Sequence, residues 1–262
     1  MRRLLSFPCE GVALTGTLDE APGTTGLLIV SGGNEIRIGA HRGMAKLAAD
    51  IAAAGYPVFR FDRRGVGDSE GENVGFETSG PDIAAAIAAF RTACPALTRI
   101  VAFGNCDAAT ALVLHNPVVD HMVLANPWVI EPVDDLPPPA AIRSHYARRL
   151  IDPKAWLSMF QGRLNLRKAI KGVARAASQP ESGPLAEAFA KALWPRITGT
   201  TIILSARDNT AIAFEQAWRG SAFRQHRTYQ DMDFVDLDSA SHSFANDADY
   251  ATLRTTLLGV LR

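Results

Sequence analysis

The run Arg99-Ile100-Val101-Ala102-Phe103 has the character of a buried strand and passes directly into Gly104-Asn105-Cys106-Asp107-Ala108, which opens an alanine-rich stretch of helical character. Small residues on both sides of a cysteine suit a sharp turn in which a strand and a helix crowd together. The pattern is G-x-S-x-G, with Cys106 for the serine and Ala108 for the second glycine. A thiol placed at a helix N-terminus meets free amides and the positive end of the helix dipole, both of which favour the thiolate. A buried structural cysteine in a strand–helix turn would look the same, and on Gly104-x-Cys106 alone the two readings weigh equally.

Chain order separates them, because an elbow nucleophile of this kind is followed first by its acid and then by its base. Asp208 follows the apolar run 201–205, at the C-terminal end of a strand. His242 follows the last strand, in Ala240-Ser241-His242-Ser243-Phe244. The imidazole of His242 would take the thiol proton, and the Asp208 carboxylate would fix its tautomer and orientation. Asp236 and Asp238 are rivals for the acid, ranked lower because one lies in the strand and the other only a short turn before His242. An oxyanion hole needs two backbone donors. The amide of Asp107 is one, and the loop Ser31-Gly32-Gly33-Asn34 offers the Gly33 amide as the other, with Asn34 next. Asn34, Arg37 and His41 are candidates for substrate contact, although Arg37 and His41 could equally brace the first helix.

These residues need a scaffold that puts them on strand ends. Strands are expected at 3–8, 11–18, 27–30, 56–61, 99–103 and 121–125, with helices at 41–54, 79–90 and 107–114 between them. Such alternation predicts an α/β fold, a mostly parallel central sheet with helices on both faces. From residue 126 to 198 the rhythm stops. A cluster at Pro137-Pro138-Pro139 precedes helical stretches holding Tyr146, Trp156, Phe160 and Trp194, which read as an inserted helical lid. Strands at 201–205 and 234–237 and helices at 213–218 and 247–261 complete a core of 1–125 and 199–262.

The bulk properties fit one enzyme-sized domain: 262 residues, 47% hydrophobic and 21% charged. Lys+Arg and Asp+Glu both number 27, so no net field draws the chain to nucleic acid or an anionic membrane. No apolar run approaches the roughly 20 residues of a membrane span, and the basic tip is broken by Pro8 and Glu10, short of a signal peptide. Three widely spaced cysteines, Cys9, Cys94 and Cys106, form neither a disulfide framework nor a zinc site, which points to a reducing cytoplasm. Neither a metal nor an organic cofactor is implied, since no ligand cluster or phosphate-binding glycine loop stands out.

Three stretches together resemble one family: Gly32-Gly33-Asn34-Glu35-Ile36-Arg37-Ile38-Gly39-Ala40-His41-Arg42, Phe61-Asp62-Arg63-Arg64-Gly65-Val66-Gly67-Asp68-Ser69-Glu70-Gly71 and Gly104-Asn105-Cys106-Asp107-Ala108-Ala109. They are similar to the α/β-hydrolases associated with exosortase A (PEP-CTERM) systems in bacteria. The likeness extends to Asp208-Asn209-Thr210-Ala211 and to the stretch around His242, with Asn209 where Leu is expected. It implies an α/β-hydrolase fold and a Cys-Asp-His enzyme encoded beside exopolysaccharide and protein-sorting genes, and it implies no substrate.

Thiol chemistry narrows the substrate instead. A thiolate leaves a tetrahedral intermediate more readily than an alkoxide or an amide nitrogen, so plain esters and amides tend to revert, whereas a thioester loses either thiolate with similar ease. Thioesters and activated esters are therefore the matched substrates, with the acyl group passed to water or another acceptor. Between Arg143 and Arg196 the chain carries 11 Lys/Arg against 3 acids. That basic lid could dock the phosphates of coenzyme A or an acidic acyl carrier protein, although solvated helix faces are the commoner meaning of such charge. The expectation is a cysteine acyl hydrolase or acyltransferase. The competing expectations are a non-catalytic binding scaffold of the same fold in an exopolysaccharide or exosortase pathway, and a redox-sensing thiol.

Overall fold

The computed structural model describes residues 1–130, 183–224 and 232–262. Strands β1 (Arg2–Cys9) and β2 (Val12–Asp19) form an antiparallel hairpin. Glu10 and Gly11 turn it at φ 45° and 88°, the positive values that a tight two-residue hairpin loop requires. The remaining strands are β3 (Thr25–Val30), β4 (Val58–Phe61), β5 (Arg99–Asn105), β6 (His121–Ala125), β7 (Thr200–Ser205) and β8 (Asp233–Leu237). They make one eight-stranded sheet in the order β1-β2-β4-β3-β5-β6-β7-β8, antiparallel up to the β2–β4 pairing and parallel from β4 onward.

Burial on both faces explains why the central strands read as unbroken apolar runs. Leu28, Val30, Ala102 and Leu124 face a core shared with α2 (Gly80–Ala93), α3 (Asp107–His115) and α4 (Pro184–Leu193). Their neighbours Leu27, Ile29, Val101 and Val123 face the opposite core, closed by α1 (Gly43–Ala53) and by the C-terminal helix Asp247–Leu261. The expected α/β architecture, mostly parallel with helices on both faces, is the one observed. No helix among the described residues is long and apolar enough to cross a membrane.

The segment 126–198 expected to form a lid is described only at its ends. Residues 131–182, with the proline cluster, Tyr146, Trp156 and Phe160, lie outside the described residues. At the far end α4 buries Ala186, Phe189 and Leu193 in the sheet's own core. Phe189 meets Phe214 of α5 (Asn209–Arg219) and Phe223 of the short α6 (Ser221–Arg224), with ring centroids 5.7 and 6.2 Å apart. This part of the segment covers the sheet. The C-terminal helix Asp247–Leu261 is α7 in this numbering.

Strand order fixes where a ligand can enter. From β3 the chain crosses to β4 on one side, then returns to lay β5 on the other side of β3. The loops leaving β3 and β5 therefore diverge at the sheet's C-terminal edge, and such a switch point leaves a crevice. The loop after β3 is 31–39, and the turn after β5 is Cys106.

Crowding at that turn dictates Gly104. A Cβ there would lie 2.7 Å from the Ala108 carbonyl carbon and 2.8 Å from the Ala109 nitrogen, both backbone atoms of α3 that cannot swing aside. Gly104→Ala is expected to destabilise the fold by roughly 1–3 kcal/mol, the cost of overpacking a tight core. Urea unfolding checks this; an unchanged midpoint would mean that strand and helix are not in close contact here.

Candidate active site

Cys106 sits between β5 and α3 with φ 61° and ψ −125°. A non-glycine residue with such dihedrals is strained by about 1–3 kcal/mol and persists only where its surroundings hold it. Here the holds are specific. The Cys106 N–H donates to the Ala125 carbonyl at the end of β6 (2.9 Å), and the Cys106 carbonyl accepts from the Trp128 N–H (3.2 Å) and the Thr110 N–H (3.3 Å). The Thr110 hydroxyl donates to the Trp128 carbonyl at 2.5 Å, tying the chain after β6 onto α3. The turn thereby lifts the thiol clear of the sheet.

Asp208 ends the loop after β7 and caps α5. Its Oδ2 accepts the N–H groups of Thr210 (3.0 Å) and Ala211 (3.2 Å), two of the donors a helix start leaves free. The same oxygen accepts Nδ1–H of His242 at 3.0 Å. Burial pushes the Asp208 carboxyl up, but the His242 hydrogen bond and charge, joined by the two amides, outweigh it and leave the group below its ordinary value. The hydrogen bond from Asp208 and, second, that with the Cys106 thiol push His242 up to about 10 against the opposing effect of burial. The carboxylate thus holds the imidazole directly, and His242 and Cys106 line the same cavity. Of the rival acids, Asp236 is exposed on β8, and Asp238 is 90% exposed and paired with Arg207 at 3.1 Å.

A second set of residues, which sequence reading did not single out, holds the His242 loop. Asn126 is fully buried at φ 42°. Its Oδ1 accepts the Ser205 N–H at 2.8 Å and its Nδ2 donates to Asn105 Oδ1 at 3.2 Å. Asn105 Nδ2 in turn donates to the His242 carbonyl at 3.0 Å, and the Ser205 hydroxyl donates to the Ser241 carbonyl at 3.2 Å. Below the loop, Ser239 Oγ donates to the buried Asp249 carboxylate and accepts the Ser241 N–H at 3.0 Å. The only sequence signal was an asparagine at the end of each of two neighbouring strands.

Cys106 and His242 open onto a cavity of about 500 Å³ with apolar walls that include Met44, Phe76, Phe103 and Trp128. That volume is in the range of small-molecule sites. Asn34, Gly33 and Asp107 line it too, as does Ser31, whose buried hydroxyl has no hydrogen-bond partner among the described residues. Arg37 does not join them, contrary to its candidacy for substrate contact. Its backbone N–H and guanidinium both bond the fully buried Asp62, and Nε and Nη2 reach Thr17 (3.0 Å) and Asp68 (2.8 Å), so it ties the loop after β3 to the loop after β4. His41 is exposed at φ 54° in the turn entering α1 and is not part of the cavity wall. Arg63, which sequence reading quoted only within a motif, is buried below the Gly33 loop and donates to the Gly33 carbonyl. Among the described residues no group of three His, Cys, Asp or Glu could hold a metal ion.

The fold is shared with enzymes of known structure at low identity. The structure of DcsB in complex with its substrate analogue matches with a TM-score of 0.64 at 11% identity, over 100% of this chain and 99% of that one. The Pyrococcus furiosus esterase Pf2001 matches with a TM-score of 0.62 at 14% identity, over 100% of this chain and 90% of that one. The thioesterase domain from the curacin biosynthetic pathway matches with a TM-score of 0.59 at 14% identity, over 99% of both chains. No curated protein matches by sequence. A model of the alpha/beta hydrolase family spans residues 27–253, from the first parallel strand into the last helix, and takes in every position at which the site is built. The chain belongs to the alpha/beta hydrolase family.

Proposed function

We propose that the chain is a cysteine hydrolase or acyltransferase that takes an acyl group from a thioester or activated ester through an acyl-Cys106 intermediate. The observation that carries this is the hydrogen bond from His242 to Asp208 Oδ2, with His242 and Cys106 together on the wall of an apolar cavity. His242 takes the Cys106 thiol proton as base, and the resulting imidazolium, which Asp208 supports, then acts as the acid. The Cys106 thiolate attacks the acyl carbon, and the carbonyl electron pair moves to oxygen, where the Asp107 and Gly33 amides are the donors in this reading. Collapse restores the carbonyl and breaks the bond to the leaving thiolate, which takes the proton from His242. The imidazole, now neutral, takes a proton from water or another acceptor, whose oxygen attacks the acyl-Cys, and collapse returns Cys106 as thiolate beside a protonated His242.

On the stretches quoted above, we assign the chain to the exosortase-associated branch, with a reducing cytoplasm as a compartment that suits a thiol nucleophile. We take the acyl group to arrive on coenzyme A or an acyl carrier protein. Of the basic side chains that suggest it, Lys191 and Arg196 fall within the described residues, and Arg196 is bound to the Val119 carbonyl. One observation favours a non-catalytic scaffold instead: the Gly33 N–H, needed for the oxyanion, already donates to the Asp107 carboxylate.

Incubation with the N-acetylcysteamine thioester of acetate, followed by intact-mass spectrometry, is expected to show one acetyl adduct that is absent in Cys106→Ala. An adduct that persists in that variant would move the nucleophile elsewhere. Asp208→Asn is expected to slow the acylation by about 10²-fold or more, since the imidazole loses both orientation and charge support.

Titrating the His242 ring by NMR should give a midpoint near 10 in the native chain and a fall toward 6.5 in Asp208→Asn, because Asp208 is the main cause of the shift. Linked to folding, the raised His242 contributes stability that is complete below pH 6.5 and lost as pH climbs toward about 10. The lowered Asp208 contributes stability that is complete above its ordinary 3.8 and lost as pH falls through its depressed value. Thermal melts of the native chain should therefore lose this contribution at both extremes. Melts of the double variant Asp208→Asn, His242→Gln should lack both slopes.

A further inference from the structure

The Gly33 N–H is not free. It donates to both carboxylate oxygens of Asp107, at 2.7 Å to Oδ1 and 2.9 Å to Oδ2. A carboxylate there is permitted only because residue 32 is glycine: a Cβ on Gly32 would collide with Asp107 Oδ1. Next to it stands Arg63, with a side chain 3% exposed. Its Nη2 lies 3.6 Å from Asp107 Oδ2, while its Nη1 is buried with no hydrogen-bond partner among the described residues. An unpaired guanidinium nitrogen in a buried position is costly, and a carboxylate accepts it well in a two-pronged pairing. A neutral substrate carbonyl is a weaker acceptor than a carboxylate and competes poorly for that N–H, and a negative charge beside Cys106 also opposes a developing oxyanion.

Resting on the reading of Cys106 as an acyl-accepting nucleophile, we propose that Asp107 is a gate on the oxyanion site. Its carboxylate fills the anion position offered by the Gly33 N–H at rest, and it turns onto Arg63 Nη1 and Nη2 to let a substrate oxygen in. Two consequences follow from the chemistry. The resting site discriminates against anionic groups at the reacting carbon, and removing the carboxylate frees the Gly33 N–H on the wall of the cavity that Cys106 also lines, with the cationic Arg63 buried below it.

The gate is tested by removing the carboxylate while leaving every backbone donor in place, in Asp107→Ala and in the near-isosteric Asp107→Asn. The first readout needs no acyl chemistry: alkylation of Cys106 by iodoacetate against neutral iodoacetamide, followed by intact mass. Asp107→Ala is expected to raise the iodoacetate rate at least about tenfold over the native chain while changing the iodoacetamide rate less than about threefold. The contrast should persist near 1 M salt, where the Debye length is about 3 Å and only an anion bound in contact escapes screening. The second readout is acylation by the acetyl thioester of N-acetylcysteamine, expected to be about tenfold faster in Asp107→Ala and intermediate in Asp107→Asn. If Asp107→Ala melts early, Asp107→Asn carries both measurements, with increases of about threefold. An unchanged iodoacetate ratio, one that vanishes in salt, or slower acylation in a folded variant would overturn the gate and make Asp107 a fixed clasp. A shifted ratio with no acylation of any form would leave the occupied anion position standing and overturn the acyl-transfer reading.

Discussion

Everything at this site hangs on one strained residue. Cys106 adopts φ 61° because β5 delivers the chain to a place where α3 must begin at once, with Gly104 pressed against the backbone of Ala108 and Ala109. A relaxed turn would need more space between strand and helix, and the thiol would then sit lower, against the sheet. The strain is maintained by backbone bonds from β6 and α3 to Cys106 itself, so the elbow is as rigid as the sheet it interrupts. The position of the Cys106 thiol is a property of the parallel core.

Rigidity on that side is matched by a different device on the other. His242 lies in a loop, and loops drift unless something holds them. The loop is held through its backbone carbonyls and amides by the side chains of Asn105 on β5, Ser205 on β7 and Ser239 after β8, and Asn126 after β6 braces the Asn105 side chain and the Ser205 backbone. Buried amides in such a chain are stable only when every member is satisfied, and a single cavity or flipped group would cost more than its own bond. The imidazole is thus registered to the same strands that set the thiol. Asp208 Oδ2 anchors its Nδ1, and the ring shares a cavity wall with Cys106.

Much of this was legible in the residues. Alternating apolar runs placed the strands within a residue or two, because two-sided burial leaves a strong pattern, whereas the helix expected at 213–218 already begins at Asn209 and the one expected to stop at 90 runs on to Ala93. Cys106, Asp208 and His242 could be placed at strand ends from chain order and strand pattern, and the structure bonds His242 to Asp208 and sets it on one cavity wall with Cys106. What stayed hidden depends on contacts across long separations. Asn126 looks in sequence like the first residue of an irregular segment, yet it is buried between β5 and β7. Arg37 stands close to the oxyanion loop in sequence, but the buried carboxylate of Asp62 captures it, and no local pattern records that choice. The partnership of Asp107 with Gly33 joins residues 74 positions apart and likewise leaves no trace in spacing.

The double duty of Asp208 has a consequence for how such a chain could change over generations. One oxygen atom both caps α5 and holds the imidazole. Losing the cap alone typically removes about 1 kcal/mol of stability. Under the proposed mechanism, selection for a folded protein and selection for chemistry would act on the same atom, and the two pressures could not be separated at this position. A descendant that had abandoned catalysis would be free to vary Cys106 and His242, yet it would still be pressed to keep the aspartate. Under the proposed mechanism, retention of Asp208 alone would say little about activity, whereas retention of His242 would say much more.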